Sequence, residues 1–73
     1  MVTNKILEIR GKKGITTGQL EIWTGITRQT ISRIENMEVD PKQSQMIKIS
    51  KALKMDVTDV FDLDWRKKPK SLE

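Results

Sequence analysis

The chain has 73 residues, enough for one small domain with a single hydrophobic core. Apolar residues make up 36% and charged residues 33%, a balance typical of a compact fold with a heavily ionised surface. The absence of cysteine excludes disulfides and thiolate metal sites, and the absence of histidine removes the commonest general base and metal ligand. We therefore expect no metal, no cofactor and no enzymatic activity.

The net charge of +4 and the pI near 9.6 favour polyanionic partners. The basic excess lies in residues 1–36, where six basic side chains accompany three acidic ones. Residues 37–73 carry eight basic and seven acidic side chains, so that half is nearly neutral. No apolar run approaches the roughly 18 residues that span a bilayer, and no signal peptide is evident at the start. We expect a cytoplasmic, nucleoid-associated protein.

The first predicted helix covers residues 4–13. Ile6 and Ile9 lie three residues apart, as they would on one face of a helix. Thr3 precedes them and can cap the helix start, while Gly14 can adopt the left-handed conformation that ends a helix. A helix with a short apolar face follows.

The second predicted helix covers residues 17–24. Thr16 and Gln19 have the spacing of a capping box, in which each side chain accepts a hydrogen bond from the other residue's backbone amide. Gly25 then permits a positive φ, and Ile26 can enter the core at the turn. The pattern indicates a short helix followed by a sharp turn.

The third predicted helix begins after Thr27, which is a favourable N-cap residue. Ile31 and Ile34 form a narrow apolar seam at helical spacing. The remaining surface is rich in hydrogen-bonding side chains, namely Arg28, Gln29, Thr30, Ser32 and Arg33. On an isolated helix, such a face is most simply interpreted as a solvated surface.

Two further helices are predicted after a loop at residues 36–41, because Pro41 cannot continue a helix. One helix covers residues 42–54, and the other runs from an Asp56 cap to residue 61. The apolar residues that we expect to face the core are Met46, Ile49, Leu53, Val60 and Phe61. No segment reads convincingly as a strand, so we predict an all-α fold with five helices.

The second and third helices, joined by a tight glycine turn, have the arrangement in which one helix contacts the DNA backbone and the next enters the major groove. Arginine can bind guanine with two hydrogen bonds, and glutamine can bind adenine in the same way. The amides at the starts of these helices are also suited to phosphate oxygens. The order of the motifs therefore favours DNA recognition over a merely solvated face.

The segments TTGQL at residues 16–20 and GITRQTISRIEN at residues 25–36, followed by Pro41, resemble the Cro/CI-type helix-turn-helix family. This family is also called lambda-repressor-like, or XRE, and the resemblance extends over about residues 4–61. It implies a five-helix DNA-binding domain, which we place at residues 1–65 with a short C-terminal extension and a basic flexible tail at 66–73. The recognition helix would be residues 27–35, and the partner would be double-stranded DNA.

The resemblance also implies roles for individual residues. The base-reading positions fall on Arg28, Gln29, Thr30, Ser32 and Arg33. The phosphate contacts are expected at Lys13, Thr17, Thr27, Asn36 and Lys42. A homodimer interface is expected at Phe61, Leu63 and Trp65, although Leu63 and Trp65 have the alternative of closing the core of one chain.

Several positions depart from the family pattern. Thr17 replaces a usual glutamine, Thr24 a usual leucine and Met37 a usual glycine. We expect Trp23 to turn inward in place of the missing leucine, the alternative being a role in binding a ligand or a partner. Glu21 replaces a usual alanine and must reach solvent or find a donor, because an unpaired carboxylate is costly to bury. The basic side chain usual at position 38 is replaced by a glutamate.

The predicted function is that of a sequence-specific transcriptional regulator, a repressor that occupies a pseudo-palindromic operator as a dimer. The alternative is an antitoxin or another protein-interaction module whose DNA binding is only autoregulatory. In that case the apolar residues Ile22, Met37, Leu63 and Trp65 would bind a protein partner.

Overall fold

The computed structural model of the protein describes residues 2–63. Five helices are present in this part of the chain, and two short strands flank them at its ends. The elements in chain order are β1 (Val2–Asn4), α1 (Ile6–Lys13), α2 (Thr17–Thr24), α3 (Arg28–Glu35), α4 (Gln43–Leu53), α5 (Val57–Val60) and β2 (Phe61–Leu63). The five-helix fold is therefore confirmed, while the expectations for Trp65 and for the tail at 66–73 concern residues outside the described part.

The two strands correct the prediction that the chain contains no strand. β1 and β2 pair antiparallel, with Thr3 opposite Asp62 at the centre of the register. Each strand has only three residues, which is too short for an alternating pattern to be recognised in the sequence. Their pairing joins the two ends of the described chain, and the bond from Lys5 N–H to Val60 C=O, 2.9 Å long, continues the link.

The start of α1 also differs from the prediction. Thr3 lies in β1 and does not cap the helix, which begins at Ile6 instead of residue 4. Asn4 Oδ1 accepts a hydrogen bond from Ile6 N–H at 3.1 Å, so an asparagine side chain supports the helix start. Of the two residues that the prediction had added to the first helix, Asn4 therefore belongs to β1, and Lys5 lies between the strand and the helix.

The predicted boundaries of α2 are confirmed. Thr16 Oγ1 accepts from Gln19 N–H at 3.0 Å, and Gln19 Oε1 accepts from Thr16 N–H at 2.9 Å, which completes the capping box. Gly25 ends the helix with φ 77°, a value that favours glycine. Local chemistry therefore defines this helix at both ends.

The core contains side chains from all five helices and both strands. Its buried members are Val2, Ile6, Ile9, Leu20, Ile26, Ile31, Ile34, Ile49, Leu53, Val60 and Phe61. Ile26 enters this core at the turn, as predicted, whereas Met46 packs against it only partly buried. Phe61 is 3% exposed in the single chain. We therefore correct its assignment to a dimer interface, because its side chain belongs to the core.

Trp23 does not turn inward, so that prediction was wrong. Its side chain is 53% exposed, and Thr24 occupies the buried position instead. The Thr24 hydroxyl donates to Leu20 C=O at 2.6 Å and accepts from Ile26 N–H at 3.1 Å. A threonine is tolerated at this buried site because both hydrogen-bonding functions of its hydroxyl are satisfied.

An ion pair between Arg10 of α1 and Glu35 of α3 holds these helices together. Arg10 Nε lies 2.7 Å from Glu35 Oε2, and Arg10 Nη2 donates to Glu35 Oε1 at 3.3 Å. Arg10 Nη1 also donates to Ile15 C=O at 3.0 Å. The two side chains are only 15% and 7% exposed, so the pair is largely removed from water. It fixes the last turn of α3 against α1 and the segment that leads into α2.

The loop after α3 is fixed to β1. Asn4 Nδ2 donates to Ile34 C=O at 2.8 Å and contacts Met37 Sδ at 3.4 Å. Met37 has φ 59°, the left-handed conformation for which the family commonly has glycine. Asp40 Oδ1 accepts from Val2 N–H at 3.2 Å. These bonds connect the exit of α3 to the terminal sheet.

We predict that the Arg10–Glu35 pair contributes strongly to stability. The variants Arg10→Ala and Glu35→Ala should each lower the free energy of unfolding by about 3 kcal/mol, because each leaves a largely buried charge without its partner. The double variant should lose clearly less than the sum of the two, as measured by urea unfolding in a double-mutant cycle. Additive losses would show that the two side chains do not interact in solution.

A second prediction compares two buried hydroxyls. Thr24→Val should destabilise the protein by about 1 to 3 kcal/mol, because Ile26 N–H loses its acceptor. Ser50 Oγ has no hydrogen-bond partner among the described residues, so Ser50→Ala should stay within about 0.5 kcal/mol of the parent or stabilise it. Thermal unfolding of both variants tests this order. A larger loss at Ser50 would contradict it.

Candidate nucleic-acid interface

α2 and α3 form a helix-turn-helix around Gly25. The chain turns at this glycine, Ile26 enters the core, and Thr27 starts the next helix in extended conformation. Thr27 Oγ1 accepts from Thr30 N–H at 3.2 Å, as predicted for an N-cap, and donates to Thr30 Oγ1 at 2.9 Å. The start of α3 is therefore held by its own side chains and by the turn before it.

α3 has one buried face and one exposed face. Ile31 and Ile34 are fully buried, so the apolar seam predicted for this helix is confirmed. Gln29, Ser32 and Arg33 are exposed on the remaining surface. Among residues 2–63, their side chains have no hydrogen-bond or ion-pair partner. Three of the five expected base-reading residues are thus free to contact a ligand.

The other two expected base-reading residues have partners within the protein. Thr30 is half-buried, and its hydroxyl accepts a hydrogen bond from Thr27. Arg28 is exposed but pairs with Glu21 of α2, with 3.2 Å between Arg28 Nε and Glu21 Oε1. Glu21 Oε2 also lies 3.4 Å from the backbone N of Arg28. Glu21 thus finds the donor that the sequence required of it, within the helix-turn-helix itself.

The stem of Arg28 passes over α2 near Gly18. A Cβ atom added to Gly18 would lie 3.9 Å from Arg28 Cδ and 3.7 Å from Thr16 Oγ1. These are ordinary van der Waals distances, so alanine would fit, but a longer side chain would compete with Arg28 for this surface. A small residue at position 18 therefore leaves room for the path that Arg28 takes toward Glu21.

The expected phosphate contacts are distributed over several helix ends. Lys13 is the last residue of α1, Thr17 the first of α2, and Asn36 and Lys42 flank the loop between α3 and α4. Lys13, Asn36 and Lys42 are exposed, while Thr17 is half-buried. The Thr27 hydroxyl is already occupied by Thr30 in both of its roles. Because phosphate oxygens accept hydrogen bonds, a contact with the Thr27 side chain would compete with the bond that its hydroxyl donates to Thr30 Oγ1.

Two features of this site were not found from the sequence. The Arg10–Glu35 pair, which holds α3, joins residues 25 positions apart, and nothing in their spacing identifies them as partners. The Glu21–Arg28 pair depends on the angle at which α2 and α3 cross. The sequence contained one indication of this second pair, because Glu21 is a carboxylate at a position where the family commonly has alanine.

The apolar residues that were predicted to contact a protein partner or a second copy differ in their surroundings. Ile22 is 80% exposed, whereas Met37 is half-buried against Asn4. Leu63 pairs with Val2 through the backbone of β2, and Trp65 lies outside the described residues. Within residues 2–63, no helix is long and apolar enough to cross a membrane.

Two comparisons with known proteins identify the family. A helix-turn-helix family model matches residues 6–60, which is most of the chain. The uncharacterized HTH-type transcriptional regulator YgzD of Bacillus subtilis is 38% identical over 61 residues, covering 84% of this chain and 92% of that protein.

A solved structure shares the fold. The crystal structure of a protein from Bacteroides fragilis, assigned as DNA-binding, superposes with a TM-score of 0.75 at 24% identity and covers 85% of this chain and all of that one. At this identity the likeness concerns the fold alone. The family match and the identity with the Bacillus subtilis protein show the family in addition to the fold. The chain therefore belongs to the XRE family of helix-turn-helix proteins, the DNA-binding transcriptional regulators that its sequence resembles.

Proposed function

We propose that this DNA-binding regulator is a repressor, which occupies a pseudo-palindromic operator as a homodimer and excludes the transcription machinery from an overlapping promoter. α3 enters the major groove in this proposal. Gln29, Ser32 and Arg33 contact base edges directly, together with Arg28, while Thr30 contributes from the half-buried margin of the same face. Repression by steric exclusion requires no chemistry beyond tight binding at the operator.

The observation that carries this proposal is the contrast between the two faces of α3. One face is fixed by two buried isoleucines and by the Arg10–Glu35 pair. The other presents an amide, a hydroxyl and a guanidinium without partners among the described residues. A rigid helix with free donors and acceptors is suited to base reading, because its backbone loses little conformational entropy on binding.

The dimer is supported by a geometric argument. One short recognition helix contacts few base pairs, so a single copy has limited power to discriminate among sites in a genome. Two copies related by a two-fold axis read two half-sites one helical turn apart, about 34 to 36 Å. We propose that Leu63 and Trp65, near the C-terminal end of the domain, contribute to the contact between copies. Phe61 supports β2 from the core of each copy.

Phosphate contacts would position the dimer on the duplex. Lys13, Lys42 and Asn36 are exposed at helix ends, and Thr17 begins α2, where unpaired backbone amides favour an anion. These contacts are not specific for sequence, and they make affinity depend on salt. The surplus of basic residues in the first half of the chain supports this role.

The alternative of a protein-interaction module has one supporting observation, the exposure of Ile22 and Trp23 on α2. Met37, which that hypothesis also requires, is half-buried and in contact with Asn4. Isolated exposed apolar residues are common on soluble domains. We therefore do not extend the proposal to a protein partner.

The proposal predicts a specific form of operator. Selection from random duplex DNA should enrich an inverted repeat whose half-sites lie about 10 to 10.5 bp apart. Insertion of about 5 bp between the half-sites places them on opposite faces of the duplex, and it should weaken binding at least about 10-fold by removing simultaneous engagement. In vitro transcription from a promoter that overlaps the repeat should fall on addition of the protein. The absence of any enriched motif would falsify the proposal.

A further prediction separates base reading from phosphate contact. Gln29→Ala should relax the preference at one base pair in each half-site, at a cost of about 1 to 3 kcal/mol for the preferred sequence. Lys13→Ala should weaken binding to all sequences equally and reduce the salt slope by about 1 for each phosphate that the lysine neutralises. Fluorescence anisotropy on operator and scrambled duplexes at several salt concentrations measures both. Identical behaviour of the two variants would contradict this division.

A further inference from the structure

Glu21 extends from α2 to the first residue of the recognition helix. Its carboxylate lies 3.2 Å from the side-chain Nε of Arg28 and 3.4 Å from the backbone N of the same residue. Glu21 is 38% exposed and Arg28 is 68% exposed, so the pair is at the surface and open to a ligand. A contact of this kind contributes little to folding stability, because solvent screens it.

The pair leaves part of the Arg28 guanidinium available. Nε is the guanidinium nitrogen nearest to Glu21, while neither Nη1 nor Nη2 makes a hydrogen bond within residues 2–63. The stem passes near Gly18, where the lack of a side chain leaves room for the path toward Glu21. A guanidinium held at Nε presents its two Nη groups as a fork, which is the geometry that binds two acceptors of a guanine.

The carboxylate also changes which acceptor this fork prefers. A phosphate brought to Arg28 would approach the negative charge of Glu21, and the repulsion offsets part of its attraction to the guanidinium. Guanine O6 and N7 carry no formal charge, so they meet less of this repulsion. Glu21 further occupies the amide at the start of α3, where an anion would otherwise be favoured.

We infer that Glu21 is a specificity-determining positioning residue, which holds Arg28 in a conformation that reads guanine and which disfavours contact of Arg28 with phosphate. Glu21 thereby lowers the affinity for bulk DNA and raises the preference for one base pair in each half-site. This inference rests on the proposed function, since it assigns a role within the same DNA-reading surface.

The test uses Glu21→Gln, Arg28→Ala and the double variant of the full chain. Glutamine keeps the length of the side chain and removes its charge. Glu38→Gln is the matched control, because it changes the net charge equally from beyond the opposite end of α3. Binding of the selected operator, of operators with each base pair replaced, and of a scrambled duplex is measured at several salt concentrations. Thermal unfolding confirms that each variant is folded.

Arg28→Ala should abolish the preference for a G·C pair at one position, which identifies the base pair that Arg28 reads. Glu21→Gln should bind the scrambled duplex several-fold more tightly, with a steeper salt dependence, and should reduce the preference at that same base pair about 5-fold or more. The control should leave this preference unchanged. In the double variant, Glu21→Gln should have no further effect on the preference at that position.

Two results would overturn the inference while leaving the proposed function intact. One is a parent protein that selects an operator whose base preferences are unchanged in Glu21→Gln. The other is an Arg28→Ala variant that loses affinity equally for all sequences, which would make Arg28 a phosphate contact. If the parent protein selects no motif, the proposed function itself fails, so the two failures are distinguishable.

Discussion

The rest of this small domain depends on the Arg10–Glu35 pair, because it joins α3, the helix that reads DNA in our proposal, to the first helix, α1. Each guanidinium nitrogen of Arg10 is engaged, two by the carboxylate and one by the Ile15 carbonyl. The same side chain therefore holds α3 and the segment leading to α2. With Ile31 and Ile34 buried on the adjacent face, the C-terminal half of α3 has little freedom to move.

The start of α3 is stabilised by different means. Thr27 caps the helix, Gly25 permits the turn, and the Thr24 hydroxyl supports the turn from within the core by accepting from Ile26 N–H. These are local hydrogen bonds among residues close in sequence, which form wherever the chain turns in this way. The recognition helix is thus fixed by local bonds at one end and by a long-range ion pair at the other.

Some basic side chains of the molecule are available to a polyanion, and others are paired with carboxylates within the fold. Lys13 and Lys42 are exposed at helix ends and have no ion-pair partner among the described residues, so their field extends into solvent. Arg10 is neutralised within the fold, and Arg28 is partly neutralised by Glu21. The positive charge that remains for a polyanion is smaller than the number of basic residues indicates. In our proposal, a smaller attraction to all DNA leaves more of the affinity to base contacts, which favours discrimination between sites.

The sequence by itself determined α2, the turn and α3, because the capping box, Gly25 and the Thr27 cap act between residues no more than four positions apart. The apolar seam of α3 and its polar face were also correctly predicted, since helical periodicity places them. Only the tertiary structure decided the pairing of β1 with β2, the burial of Thr24 in preference to Trp23, and the partners of Arg10 and Glu21. These depend on contacts between elements distant along the chain, or on the crossing of two helices, neither of which leaves a spacing that can be recognised in one sequence. The helix-turn-helix was therefore evident from local chemistry, whereas the ion-pair partners of its charged side chains could be identified only from the fold.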